Sequence, residues 1–418
     1  MSKQTRNSTE STRRAYLRYG GAALTAGLLA GCTGGSDTNS TQSAVGTDGS
    51  TATGEPSEGG ESTDSGESTE TPDGPYTVSM APMGEVEFEE APETVFTRLT
   101  HLADMAFALG RGNSINAMHA PEYYDGLWNE FVTRLPGVTL DWQGLYSSWE
   151  TSKEKLYELD SDIHLADPSS VSALGKWNQQ DLDEVEQNIG PWFGNSYSAG
   201  RSKPPEGWRD QYEYYTLWEQ FEKVAQAFRE EARYEALTEV RNGMVDTIES
   251  KLPAESDRPS SVMIASTDIE SIYVYRLDEP GFRTAHTRPL GVVEAFGDDV
   301  ESQTTVDFET MLEADPEVIF LFAGMHPTVN MADVRQKLQD DPVAREITAV
   351  QNDRVYAQGA RYQGPILNLF QIEMTAKQLH PEQFGEWPEY ETGPYPEISK
   401  EEQLFDRQRV ADVINGNV

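Results

Sequence analysis

One short pattern occurs twice in this chain, and its two positions constrain the fold more than any other feature. Residues 154–163 read as a glutamate-led helix, a turn with two acids and then a strand, and residues 309–318 repeat this order 155 positions later. Residues 214–252, between the copies, contain few helix breakers and are followed by Pro253. Because a repeated supersecondary unit indicates repeated architecture, the sequence predicts two similar lobes on either side of a long helix.

The rest of the chain alternates apolar strands with helical segments. Strands are predicted at residues 95–99, 114–118, 163–166, 261–265, 318–322 and 354–356, and helices at residues 102–109 and about 365–379. Strands separated by helices favour parallel pairing. The predicted fold class is therefore α/β, with mainly parallel sheets in two lobes that one long rigid helix joins. We place the N-terminal lobe at residues 76–228, the linker helix at 229–252 and the C-terminal lobe at 253–418.

The first 75 residues read as an export signal followed by a tether. Arg13 and Arg14 precede a short apolar run that ends in Leu29-Ala30-Gly31-Cys32. The arginine pair resembles a twin-arginine signal, and the last four residues resemble a lipobox. We therefore predict a signal peptide at residues 1–31 and a disordered Ser/Thr/Gly-rich stalk at residues 32–75, lipidated at Cys32.

Two alternatives to lipidation follow from the same segment. A transmembrane anchor is disfavoured, since an apolar run of about 12 residues is too short to cross a bilayer. Cys32 is also the only cysteine of the chain, so it cannot form an intrachain disulfide. The second alternative to lipidation is therefore that Cys32 is an incidental free thiol.

The formal net charge of the chain is −39. The acids are dispersed over the whole length, which is typical of halophilic proteins, where concentrated salt screens their repulsion. Attraction of a cationic partner is the alternative explanation. Since no basic face is evident, the charge argues against nucleic-acid binding. It also argues against the folded part lying on an anionic membrane.

Several segments, in their order along the chain, resemble those of a known family. They are residues 103–110, residues 154–163 with Ser161 in place of a proline, and residues 306–320, 349–356, 364–365 and 379–382. Together they resemble the substrate-binding lipoproteins of ABC importers, in the helix-linked class that serves ferric siderophores, cobalamin, haem and some metal ions. The resemblance spans residues 84–387. Residues 187–215 and 266–292 match no family pattern, which leaves the ligand open.

The resemblance implies an extracytoplasmic solute receptor, lipid-anchored to the outer face of the cell membrane. It would bind a metal chelate, with a ferric siderophore preferred over cobalamin or haem, and deliver it to an ABC permease driven by an ATPase subunit. It would be a monomer, not an enzyme, and would need no cofactor or resident metal. In the family, a glutamate on each lobe docks onto the permease, and here these would be Glu154 and Glu309. The alternative is that each acid only favours the positive end of its helix.

Loops at the carboxyl ends of both sheets are expected to face each other across the ligand cleft. The candidate ligand-binding residues are His101, His119, Tyr123, Tyr124, Tyr146, Trp149, Trp192, Tyr275, His286, Arg288, His326, Arg361 and Tyr362, and a wider set adds Tyr197, Tyr273, Arg276 and Met325. Aromatic rings supply apolar walls, and arginine supplies planar donors for carboxylates or the anionic oxygens of a ferric chelate. Local loop packing is the alternative role for each of these side chains.

Other functions stay open at this point. A bare metal ion needs three or four converging ligands, which His101, His119 and His326 with an acid could supply. The adjacent Tyr123 and Tyr124 could bind ferric iron directly. A receptor of the same fold for an oxyanion and a surface signalling or scaffold lipoprotein are further alternatives. Sequence motifs of metalloproteases, serine hydrolases and nucleotide-binding enzymes do not occur, so an enzyme is not predicted.

Overall fold

The computed structural model of this chain describes residues 74–266, 269 and 271–418. The predicted signal peptide, the predicted lipidation site at Cys32 and nearly all of the predicted stalk lie outside the described residues. The described residues all belong to a single compact unit. In the part that the structure describes, no helix has both the length and the apolar character needed to cross a membrane.

The described part begins with an antiparallel hairpin that the sequence did not predict. Strand β1 (Tyr76–Met80) pairs with β2 (Gly84–Phe88). Buried and exposed side chains alternate along the second half of each strand, with Val78, Met80, Val86 and Phe88 buried. This period of two is the pattern of a sheet with one covered face.

The first sheet lies in the N-terminal half of the folded part, which we define as residues 76–228. Its strands, in the spatial order β5-β4-β3-β6, are β3 (Val95–Thr97), β4 (Ile115–Met118), β5 (Tyr146–Ser147) and β6 (Ile163–Leu165). All of their pairings are parallel. The helices of this half are α1 (Thr100–Ala108), α2 (Pro121–Val132), α3 (Lys153–Leu159), α4 (Pro168–Ser172), α5 (Gln179–Asn188) and α6 (Leu217–Phe228).

A long helix, α7 (Glu231–Glu249), connects the two sheets along the chain. It is separated from α6 by Arg229, whose φ of 54° lies in the left-handed region and ends the preceding helix. Its 19 residues span about 28 Å at the usual helical rise. The helix is shorter than the predicted range of residues 229–252, because its last turn ends before Pro253.

The second sheet lies in the C-terminal half, residues 253–418. Its strands are β7 (Ser260–Ala265), β8 (Ile272–Val274), β9 (Val293–Glu294), β10 (Thr305–Val306), β11 (Val318–Leu321) and β12 (Val355–Ala357), in the order β10-β8-β7-β11-β12 with β9 also paired to β7. The β7, β9, β11 and β12 pairings are parallel, whereas β8 runs antiparallel to β7 and β10. Its helices are α8 (Phe308–Ala314), α9 (Met331–Asp340), α10 (Thr348–Gln351), α11 (Pro365–Leu379), α12 (Pro381–Phe384) and α13 (Arg407–Ile414). The predicted α/β class with mainly parallel sheets is confirmed.

The sequence repeat corresponds to a structural repeat of α3 with β6 and of α8 with β11. Ser152 caps α3 by accepting a hydrogen bond from a backbone N–H of the first turn, and Asp307 caps α8 in the same way. Each helix ends in a left-handed aspartate, Asp160 or Asp315, with φ of 45° and 40°. These local signals explain why both copies have the same length.

An acid after each of these helices also fixes the start of a central strand. Asp162 Oδ2 accepts a hydrogen bond from Thr94 N at 2.8 Å, just before β3. Glu317 Oε2 accepts one from Ser260 N at 2.9 Å, at the first residue of β7. The repeat therefore includes side-chain contacts and not only the order of the elements.

Helices α1 and α11 bring the two halves together. All nine residues of α1 and all 15 residues of α11 are buried. Thr100 Oγ1, on α1, donates to the Tyr362 carbonyl oxygen at 2.8 Å. One helical turn later, an Asp104 carboxylate oxygen accepts from the Leu367 backbone N–H at 3.1 Å. Helix α1 therefore holds both the start of α11 and the loop that precedes it.

The last 34 residues, from Gly385 to the end, pack on both halves. The backbone N–H of Tyr395 donates to the Glu130 carbonyl oxygen on α2 at 2.7 Å. The hydroxyl group of the same tyrosine donates to the buried Glu373 carboxylate of α11 at 2.8 Å. Arg407, on α13, forms an ion pair with the same carboxylate. This segment lies almost wholly outside the range of the family resemblance, and its sequence did not predict these contacts.

Candidate ligand-binding site

Four side chains follow the four strands of the first sheet. Arg98 comes after β3, His119 after β4, Trp149 after β5 and Asp167 after β6. The Arg98 guanidinium carbon lies 5.4 Å from the centre of the Trp149 ring, and the His119 and Trp149 ring centres are 4.5 Å apart. Because the strands are parallel, these residues share one edge of the sheet.

The C-terminal half contributes a second group of side chains. Arg361 and Tyr362 lie in the loop between β12 and α11, Tyr275 follows β8, and Arg283 lies in a short 3-10 turn. Arg361 donates a hydrogen bond to Tyr275 OH, and its guanidinium carbon lies 5.4 Å from the Tyr362 ring centre. The Arg283 guanidinium carbon lies 5.7 Å from the same ring.

The two groups meet at Tyr362. Burial alone would raise the pKa of its hydroxyl group. The guanidinium groups of Arg283, Arg361 and Arg98 outweigh burial and bring that pKa below its ordinary value. Since Arg98 comes from the N-terminal half, this cluster joins the carboxyl edges of both sheets. We call Arg98, Arg283, Arg361 and Tyr362 the arginine cluster.

The arginine cluster is electropositive in a strongly acidic chain. In the described ranges, none of its three guanidinium groups forms an ion pair with a carboxylate. Asp167 influences Arg98 electrostatically, but its carboxylate accepts hydrogen bonds from Ser196 N and Tyr212 OH at 2.8 and 2.7 Å. Buried cations without an acidic partner are costly, so the cluster is suited to a negatively charged ligand.

An aromatic wall adjoins the cluster. The His119 ring centre is 4.5 Å from that of Trp149 and 5.6 Å from that of Tyr124. Burial, with the positive charges of Arg98 and Arg361, lowers the pKa of His119 to about 4. The imidazole is therefore uncharged near neutral pH and forms part of an apolar surface.

Tyr123 and His326 form a second contact between the halves. Their rings are nearly parallel, with centres 3.9 Å apart. Thr328 N donates to His326 Nδ1 at 3.2 Å, so the proton of the neutral ring is on Nε2, which faces the Tyr123 carbonyl oxygen at 3.2 Å. Burial lowers the pKa of His326, which favours this neutral form.

The structure brings together eight of the predicted ligand-binding residues, namely His119, Tyr123, Tyr124, Trp149, Tyr275, His326, Arg361 and Tyr362. His101 lies just behind them on α1. Its ring centre is 4.9 Å from Phe282 and 6.0 Å from Tyr362, and its nitrogens have no hydrogen-bond partner among the described residues. Burial lowers the pKa of His101 to about 3, so this ring is a neutral packing group.

Two predicted residues of the N-terminal half lie elsewhere. Trp192 packs in the core beside the first sheet, where its indole N–H donates to the Leu182 carbonyl oxygen at 3.1 Å and its ring faces His164. Tyr146 also packs against this core, and the Lys155 ammonium lies 4.8 Å from its ring centre. Both side chains are directed by local packing.

Two predicted residues of the C-terminal half also have other partners. His286 is buried, and its Nδ1 lies 2.8 Å from the Gln363 side-chain nitrogen. Arg288 is exposed, and it donates to the Gly281 carbonyl oxygen at 2.7 Å. Of the wider set, Arg276 is paired with Asp278, Met325 is in the core, Tyr273 packs against that core, and Tyr197 lies near Arg98 and Tyr362.

Sequence reasoning missed two residues of the arginine cluster, Arg98 and Arg283. Arg98 was read as part of the strand at residues 95–99, although β3 ends at Thr97. Its position at the carboxyl end of the predicted strand was a usable signal, because that is where a parallel strand opens onto a site. Arg283 lies in residues 266–292, where neither a clear hydrophobic period nor a family motif is recognisable by inspection of the sequence.

The three histidines considered for a bare metal ion do not form a metal site with one another. In the part of the chain that the structure describes, no group of three or more His, Cys, Asp or Glu residues could hold a metal ion. The predicted docking glutamates are both exposed and lie in the first turns of α3 and α8. Glu154 and Glu309 therefore occupy equivalent positions in the repeat.

Comparisons with known proteins agree with this architecture. A family model described as a periplasmic binding protein matches residues 146–362, which is more than half of the 418-residue chain. No curated protein matches the chain.

Among solved structures, a periplasmic binding protein from Veillonella parvula shares 16% identity over 73% of this chain and 91% of its own, with a TM-score of 0.51. The petrobactin-binding protein YclQ from Bacillus subtilis shares 15% identity over 73% of this chain and 99% of its own, also with a TM-score of 0.51. At these identities the likeness establishes the fold alone.

Proposed function

Because this chain belongs to the periplasmic binding protein family, we propose that it is the solute receptor of an ABC importer and binds a metal chelate. A ferric siderophore is the leading ligand, followed by haem or cobalamin. The family is one of binding proteins that act outside the cytoplasm. The chelate would occupy the region between the two halves, beside the arginine cluster and the aromatic wall.

The observation that carries this proposal is the convergence of Arg98, Arg283 and Arg361 on Tyr362 without an acidic partner in the described residues. A ferric chelate with catecholate or carboxylate groups presents several anionic oxygens around an aromatic or apolar frame. Guanidinium groups donate to such oxygens, and hydrogen bonds to charged groups contribute about 1.5–3 kcal/mol each. The wall of His119, Tyr124 and Trp149 would contact the frame.

We further propose that the receptor is tethered through lipidated Cys32 and acts as a monomer. The acidic surface would keep the folded part in solvent above an anionic membrane, and the stalk would give it reach. Glu154 and Glu309 would contact the permease, which receives the chelate. The energy for transport would come from the ATPase subunit of the importer, so the receptor itself performs no chemistry.

The direct test is native mass spectrometry together with a visible absorption spectrum, on protein purified at high salt from the cells that produce it. We expect a coloured adduct with the mass of an organic iron or cobalt complex. An adduct with the mass of a bare metal ion or a small oxyanion would contradict the proposal and favour the receptor for such ions. If the purified protein carries no adduct, its tryptophan fluorescence is titrated with ferric chelates and with cobalamin, and a lack of response to all of them overturns the proposal.

A further inference from the structure

Two irregular segments, one from each half of the folded part, contact each other. Residues 198–200 belong to the first, and residues 281–283 belong to the second. A Cβ atom added at Gly281 would lie only 2.3 Å from the Ala199 carbonyl oxygen and 2.8 Å from Gly200 Cα. No L side chain fits such a gap between backbones, so the contact depends on glycine.

The opposite side of the second segment is held by a buried glutamine. The Gln363 amide nitrogen donates to the Arg283 and Phe282 carbonyl oxygens at 2.8 and 3.2 Å. Its amide oxygen accepts from Asn368 at 2.7 Å, which fixes the orientation of the group. Residues 281–283 are therefore fixed between the Ala199 backbone and the loop that carries Arg361 and Tyr362.

This placement directs Arg283 into the arginine cluster. The residue is only 8% exposed, and its Nε has no hydrogen-bond partner among the described residues. A Cβ atom at Gly200 would lie 2.5 Å from Arg283 Nη1, so this second glycine leaves the room that the guanidinium group occupies. A buried donor without a partner costs free energy, which a ligand oxygen would recover.

We propose that residues 198–200 and 281–283 together form the specificity-determining wall of the ligand site, and that Arg283 contacts an anionic group of the ligand. The proposal rests on the proposed function, since it requires a chelate between the two halves. It adds that the selectivity for ligand charge is determined by these two segments. The contact at Gly281 positions Arg283, whereas Arg283 itself touches the ligand.

The first test compares ferric complexes of different charge on the full mature chain. A ferric tris-catecholate is triply anionic, haem carries two carboxylates, and a ferric tris-hydroxamate is uncharged. We expect R283Q to weaken binding of the anionic complexes at least about tenfold, the loss of a hydrogen bond to a charged group, and to change binding of the uncharged complex by less than about threefold. R283K should recover part of the lost affinity, because it restores the charge without the planar donor group.

A second variant tests the positioning contact. G281A should reduce the preference for anionic complexes although Arg283 is still present, because the added Cβ displaces the segment. G207A is the matched control, since in the described structure a Cβ at that position meets no atom within 4 Å. R345Q controls for the loss of one positive charge, because Arg345 is on the surface beside Glu346. Circular dichroism at high salt verifies that each variant is folded. If G281A does not fold, the binding measurements on R283Q alone test the proposal.

The outcomes separate this inference from the proposed function. If the wild-type protein binds an anionic complex and R283Q binds it equally well, the inference is overturned and the proposed function stands. The same holds if R283Q weakens all complexes to the same extent, or if the wild-type protein binds only the uncharged one. If the wild-type protein binds none of the three ferric complexes, the inference fails, and the proposed function fails with it if cobalamin is not bound either.

Discussion

At the scale of single residues, Asp104 is a titratable group that is completely shielded from water. It is fully buried on α1, and its carboxylate accepts from the Leu367 N–H at the start of α11. Burial raises the pKa of Asp104 to about 7, although the hydrogen bond from the Leu367 N–H group opposes the rise. Asp104 of α1 therefore caps the start of helix α11, although burial disfavours the ionised form of its carboxyl group.

The pKa of Asp104 predicts a specific dependence of stability on pH. The folded pKa of about 7 lies above the unfolded value of 3.8, so the folded state binds the extra proton between them. Stability from this group is fully present below about pH 4 and is lost as the pH rises through about 7, by at most about 4 kcal/mol. In Asp104→Asn this loss should be absent, so the free energy of unfolding should depend less on pH than in the wild type.

Denaturant unfolding at constant high salt, at several pH values from acidic to mildly alkaline, measures this difference. Glu389→Gln is the control, because Glu389 is an exposed acid whose removal also deletes one negative charge. Wild-type and Asp104→Asn curves that remain parallel over the whole pH range would show that Asp104 does not titrate there.

At the scale of elements, the C-terminal segment depends on one buried ion pair. Glu373, on α11, is fully buried and accepts from Tyr395 OH and from Leu404 N at 2.8 and 2.6 Å. Arg407, on α13, pairs with it, and its guanidinium carbon lies 4.0 Å from the Phe405 ring centre. The pair therefore joins α11 to α13 and to the chain between them.

Removing one partner of this pair should destabilise the protein more than removing both. Arg407→Met leaves a buried carboxylate without its cation, which costs about 3–5 kcal/mol. Adding Glu373→Gln to this variant should recover part of that loss, because the remaining amide is neutral. A double-mutant cycle from denaturant unfolding measures the coupling. Additive losses would mean that the two side chains do not act as a pair.

The elements predicted best from the sequence are those whose ends have local signals. Helices α3 and α8 were predicted on both sides of the linker because a capping residue begins each and an aspartate ends each. The hairpin of β1 and β2 was missed, and so was the C-terminal segment. The C-terminal segment is stabilised by contacts with distant residues such as Glu130 and Glu373, which no local pattern reveals.

The candidate site was predicted in part for the same reason. His119 directly follows a predicted strand, and a strand end in a parallel sheet is recognisable from sequence. Trp149 was predicted only as a loop aromatic, because the two-residue strand β5 before it is too short to be recognised. Trp192 also lies near a strand, but its indole N–H has a partner within the core, the Leu182 carbonyl oxygen. Arg283 could not be found, because its position depends on a contact between two irregular segments and on the absence of a side chain at Gly281.

At the scale of the whole molecule, charge is distributed unevenly. The chain carries a net charge of −39, yet three arginines without acidic partners in the described residues converge between its halves. Dispersed surface acids slow the approach of an anion at low salt, and this effect is screened at high salt. A receptor of this kind is therefore expected to capture an anionic chelate efficiently only in concentrated salt.

The final prediction concerns the proposed docking of the whole receptor on its permease. The helices that carry Glu154 and Glu309 belong to one compact unit, so the spacing of the two acids is fixed and can match two basic sites on a partner. Reversing both charges, with Glu154→Arg and Glu309→Arg, should abolish uptake of the chelate. The affinity of the receptor for the chelate should change by less than about twofold, because both acids are exposed and, in the described residues, neither is hydrogen-bonded or ion-paired to the arginine cluster. Complementary charge determines the orientation and rate of such encounters.

The measurements are chelate uptake in cells that lack the native receptor and a fluorescence titration of the purified variant. The matched control reverses Glu158 and Glu313, which are exposed on the same two helices at equivalent repeat positions, and it should retain uptake. Normal uptake by the first variant would exclude docking through these acids, and a loss of ligand affinity would show that they act on the ligand site instead.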